Sequence, residues 1–72
     1  MSTARLSRER LDRELAYRGW SASDLARAAG VSEATLSVAR QGRPVAPLTL
    51  KKIAVALSRT PVVPGLETLL ES

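Results

Sequence analysis

Apolar residues recur at helical rather than strand spacing along this 72-residue chain, and serines punctuate them in a repeated layout. Leu6 precedes Ser7 and Leu11 lies four residues beyond the serine; Trp20, Ser21 and Leu25 repeat the arrangement, and so do Val31, Ser32 and Leu36. In each, the serine hydroxyl takes an orphan N–H of a first helical turn while the flanking apolar pair closes over it as a hydrophobic staple. Asp24 adds an acidic variant of the capping box to the second start. Glycines at 19, 30 and 42 supply three matching stops. The pattern predicts helices over about 7–18, 22–29 and 33–41. A loop "GRPVAP" (42–47) follows, and a fourth helix runs from Pro47, a good first helical residue, to about Ser58. Leu50, Ile53, Ala54 and Leu57 are its expected apolar stripe. "RTPVVPG" reads as a rigid connector, and "LETLL" (66–70) as a short fifth helix.

The expected fold is all-α, a compact four- to five-helix bundle in one domain spanning 1–72. Only "AGVS" separates the second helix from the third, which is helix-turn-helix spacing. On a wheel of about 100° per residue, Leu36, Ala39 and Thr35 share an inward arc of the third helix. Glu33, Ala34, Ser37, Val38 and Gln41 fall opposite. A merely solvated face would carry long charged side chains. This one is slim, as a helix entering a major groove about 12 Å wide must be. Ala34 and Val38 suit contact with thymine methyls; Glu33 can accept from a cytosine amino group, and Gln41 can bond a base or a phosphate.

Charge strengthens that picture. Eleven Lys and Arg, nine of them Arg, oppose seven Asp and Glu, for a net charge of +4, and nucleic acid is the usual partner of so basic a chain. Histidine and cysteine are both absent. The commonest general base and metal ligands are therefore missing, no nucleophile–base constellation can be named, and neither an enzyme nor a cofactor is expected. No small-molecule ligand is evident. The longest apolar run, Ile53–Leu57, is far short of a membrane span. "MSTARLSRER" has no apolar secretory core. A cytoplasmic location follows by default.

The stretch "RGWSASDLARAAGVSEATLSVARQGRPVAPLTLKKIAVAL" resembles the Cro/C1-type (XRE-like) helix-turn-helix family, the fold of lambdoid phage repressors. The resemblance rests on Gly19-Trp20-Ser21, Leu25-Ala26, Ala29-Gly30-Val31-Ser32, Thr35-Leu36-Ser37 and Gly42, and covers about residues 5–58. It implies a regulator, expected to be a repressor, that binds double-stranded DNA. The family's base-reading positions fall on Glu33, Ala34, Ser37 and Val38, with Gln41 at the helix end facing base or backbone. Phosphate contacts fall on Ser21, Ala22, Ser32 and Arg43.

Three departures shape the expectations. Ala22 stands where the family often has a phosphate-binding Gln, leaving the backbone N–H to serve. Arg40 stands where many members have Glu, so either a pair with Glu14 or a reach to the DNA backbone is expected of it. The reading arc lacks Arg and Lys, so DNA shape, dimer spacing or an arm would share in selecting the site.

Of the arginines crowding the N-terminus (Arg5, Arg8, Arg10, Arg13), Arg10 is the candidate for backbone contact, set against a solvated face shared with Glu9, Asp12 and Glu14. Of Lys51 and Lys52, Lys51 is the candidate phosphate contact. Trp20 is expected in the core and Tyr17 at its rim. Leu66, Leu69 and Leu70 must pack either on the fourth helix or on a second subunit, and a homodimer through them is expected. The competing reading is an antitoxin or other protein-interaction module on the same fold.

Overall fold

The computed structural model describes residues 5–70, which form five α-helices and no β-strand: α1 (Arg8–Arg18), α2 (Ala22–Ala29), α3 (Glu33–Arg40), α4 (Pro47–Arg59) and α5 (Leu66–Leu70). The all-α bundle expected from the pattern is the fold found, with each end within a residue or two of its predicted place.

The three serine starts work as their spacing implied. The Ser7, Ser21 and Ser32 hydroxyls accept from the N–H groups of Arg10, Asp24 and Thr35 at 3.3, 3.2 and 3.0 Å. At α2 the box closes: Asp24 accepts from the Ser21 N–H at 2.8 Å and from its hydroxyl at 3.0 Å. Those two bonds hold the Asp24 carboxyl below the usual carboxylate range, against a slight loss of hydration and with some help from Arg27. A group whose folded pKa is depressed contributes stability above its unfolded pKa, near pH 4, and loses that contribution as pH falls through the lower folded value. Between about pH 5 and pH 3, the thermal midpoint of the wild type should therefore drop further than that of Asp24→Asn. Circular dichroism melts at the two pH values measure this, and equal drops would remove Asp24 from the acid response.

The core is small and aliphatic: Leu11, Leu15, Leu25, Ala26, Leu36, Ala39, Ile53 and Ala56 are buried, with Leu25, Leu36 and Ile53 the largest enclosed side chains. Leu6, Trp20, Val31, Val45, Leu50 and Leu57 pack around it. Trp20, expected in the core, is half-buried and packs against it. On α4 one expectation is corrected. Ala54 is exposed and Ala56 is buried in its place, because α2 lies across the face carrying Ile53 and Ala56.

Arg18, which the pattern did not single out, ties the ends of two helices together. Its guanidinium donates to the carbonyls of Thr60 (2.7 Å), Leu57 (3.1 Å) and Glu14 (2.9 Å), and to the Glu14 carboxylate (2.7 Å). The end of α4 has no glycine cap, and this arginine from α1 satisfies the carbonyls of Leu57 and of the Thr60 cap.

The C-terminal segment also departs from one expectation. α5 packs on α1 rather than on α4: the Val63 N–H donates to the Tyr17 carbonyl at 2.9 Å, and Leu66 lies against Gly19. Leu66 is half-buried by this contact, whereas Leu69 is 80% exposed. The Leu70 side chain lies outside the described residues.

Candidate nucleic-acid interface

The corner between α2 and α3 is set by Gly30. Its φ of +72° lies in the left-handed region, where a side chain costs free energy and glycine does not. The Val31 N–H then returns to the Ala26 carbonyl at 3.1 Å, the six-to-one bond of a Schellman turn. With Val31 folded inward, Ser32 caps α3 one residue later.

Leu36 and Ala39 anchor α3 in the core at 1% and 0% exposure. The opposite arc therefore faces outward. Glu33, Ala34, Ser37 and Gln41 are exposed and Val38 is half-buried, so none of the five candidate readers is enclosed by the protein's own interior. This surface is narrow, with one carboxylate and one amide among short side chains. Beside it, Glu33, Ser37 and Arg40 share with Ala22 and Leu36 a recess of about 150 Å³.

Two side chains of this region are held by partners the sequence did not reveal. The Glu33 carboxylate accepts a 2.7 Å hydrogen bond from the Ser23 hydroxyl, at the start of α2. Arg40 donates from Nε and one terminal nitrogen to Asp12 Oδ1, at 3.2 and 2.9 Å. Of the two alternatives for Arg40, the Glu14 pair is not formed, because Glu14 is engaged by Arg18. Asp12 sits one residue after the buried Leu11, on the side of α1 that meets α3; it also draws in Arg8 at 3.6 Å. Residues ten and twenty-eight positions apart leave no local pattern. The helix-turn-helix spacing does place the first turns of α2 and α3 side by side, and that signal could have paired Ser23 with Glu33.

The candidate phosphate contacts divide into two kinds. Ser21 and Ser32 are exposed, but both hydroxyls are committed to caps. Ser21 Oγ donates to Asp24, and Ser32 Oγ donates to Thr35 Oγ1 at 2.8 Å. The amide N–H groups of Ala22 and Glu33, in the first turns of α2 and α3, have no acceptor among the described residues and retain the positive end of each helix dipole. Arg43 is exposed directly after Gly42 closes α3, and Lys51 lies exposed on the second turn of α4. Arg10 is exposed on the first turn of α1. Among the described residues these three cations have no carboxylate partner, whereas Arg8 and Arg13 pair with Asp12 and Glu9.

A tight two-helix corner, a buried seam on the second helix and a slim outward arc flanked by free cations and free helix N–H groups define a helix-turn-helix DNA-binding domain. Residues 10–61 match the Cro/C1-type HTH DNA-binding domain, and the chain belongs to that family. No curated protein and no solved structure gives a significant match to the chain. No helix among the described residues is long and apolar enough to cross a membrane.

Proposed function

We propose that the protein is a sequence-specific transcriptional regulator, acting as a repressor, that inserts α3 into the major groove of double-stranded DNA. The observation that carries the reading is the outward arc of α3, which leaves Glu33, Ala34, Ser37 and Gln41 open to a duplex. Glu33 accepts from a cytosine amino group, Ala34 and Val38 meet thymine methyls, and Ser37 and Gln41 complete the base contacts. Arg43, Lys51 and Arg10 neutralise phosphates. The free amides at the starts of α2 and α3 add dipole-assisted contacts, with Ser21 and Ser32 as the caps that aim them. Arg40 is spoken for by Asp12, so it braces α3 against α1 and reaches phosphate only by exchanging that partner.

Two-fold helix-turn-helix dimers read half-sites about 34–36 Å apart. The exposed Leu69 favours a homodimer through α5.

The test is selection of bound duplexes from a random pool, followed by affinity measurements on the selected site. Glu33→Ala should lose preference at one base pair, about tenfold in the ratio of right to wrong base. Arg43→Ala should weaken all sequences alike. Uniform loss for both variants would remove α3 as the reader.

One observation favours a second reading, a protein-interaction module or antitoxin. Leu48 (60% exposed) and Val55 (36% exposed) border an open groove between α2 and α4, rimmed by Lys51, Lys52 and Arg59. Isolation of a stoichiometric protein partner that Leu48→Asp abolishes would establish that role.

A further inference from the structure

We propose that Ser23 is a specificity-positioning residue, holding the Glu33 carboxylate in the orientation that selects cytosine. The inference rests on α3 being the base-reading helix and names how one of its contacts is made selective.

Glu33 is the first residue of α3, exposed, and has no cationic partner among the described residues. An unrestrained glutamate there would sample many rotamers, and ordering it on a base would cost side-chain entropy. Ser23 removes much of that freedom in advance. Its hydroxyl donates to Glu33 Oε1 at 2.7 Å, across the corner from the first turn of α2. Ser23 has no capping duty, which falls to Ser21, so its hydroxyl is available for this bond. A carboxylate accepts at about four lone-pair sites. With Oε1 anchored, Oε2 takes no hydrogen bond from any described residue, and the Glu33 side chain is exposed.

A fixed acceptor in the major groove discriminates in both directions. Cytosine offers the N4 amino donor there, so the pair is favourable. Guanine and thymine offer acceptors at the same edge, and an anchored carboxylate cannot turn away from them. Adenine offers its N6 donor next to the N7 acceptor and falls between. A free glutamate could swing into solvent and tolerate every base. Enclosure by DNA excludes water from the Ser23–Glu33 bond and strengthens it when it is needed.

The experiment measures affinity at fixed salt for the duplex selected from the random pool and for its three single-base variants at the Glu33 position. Wild type, Ser23→Ala, Ser23→Thr and Glu33→Ala are compared, with thermal melts to verify folding. Ser23→Ala should reduce the preference for cytosine about fivefold, and Ser23→Thr, which keeps the hydroxyl, should restore it to within about twofold of wild type. Glu33→Ala should abolish the preference. The proposal is overturned if Ser23→Ala keeps the full preference while Glu33→Ala loses it, because Glu33 then reads unaided. It is also overturned if Ser23→Ala weakens all four duplexes equally, which is a structural effect. If Glu33→Ala itself retains the preference, the underlying assignment of Glu33 as a reader fails, and that outcome is separate from the other two.

Discussion

Leu36→Ala should leave most of the molecules unfolded at room temperature. Leu36 is 1% exposed at the point where α3 meets the rest of the core. Truncating such a leucine costs about 3–5 kcal/mol, through lost transfer energy and the cavity left behind. A single core in a chain this short supplies roughly 3–5 kcal/mol in all. The two quantities are of one size, so the substitution consumes the whole margin. Urea titrations followed by circular dichroism measure the effect; a wild-type midpoint for the variant would show that α3 is not anchored by Leu36. The comparison with Leu48→Ala sharpens the test, because Leu48 is 60% exposed and its truncation should stay within about 0.5 kcal/mol of wild type. DNA binding should follow stability: lost with Leu36→Ala because the proposed reading helix is no longer presented, retained with Leu48→Ala.

The second large effect is that of salt. Three of the cations without carboxylate partners among the described residues, Arg10, Arg43 and Lys51, are the proposed phosphate contacts of each subunit. Each neutralised phosphate releases condensed counterions, giving a log–log slope of about −0.9 per contact and thus about −2.7 per subunit. Between about 50 and 200 mM salt, a single subunit should weaken about 40-fold and a dimer on two half-sites about 2,000-fold. Fluorescence anisotropy over a salt series reads the slope directly. A slope near zero would remove the phosphate contacts, and the value obtained separates one bound subunit from two. Arg43→Ala should lower the slope by about one per subunit without changing base preference.

Much of this protein is legible in its sequence. The three Ser starts, each with its apolar pair, and the glycines at 19, 30 and 42 located α1, α2 and α3, because caps and stops are local chemistry within four or five residues. The wheel position of Leu36 and Ala39 located the inner face of α3 and hence the outer one, since side-chain direction follows from helical period alone. The α2–α3 corner followed from a single glycine that had to adopt positive φ.

What the sequence left open were contacts between elements. Which of Ala54 and Ala56 is buried depended on the direction from which α2 crosses α4. Whether Glu14 or Asp12 receives Arg40 depended on which side of α1 meets α3 and on Arg18 having taken Glu14 already. The bond from Ser23 to Glu33 and the packing of α5 on α1 arise in the same way. The chain alone therefore determined its helices, the serine caps of the first three and the inner face of α3, which are properties of neighbours along the backbone. The tertiary structure alone decided which charged and polar groups are tied up and which stay free, because that depends on distances and crossing directions between helices that no local pattern encodes.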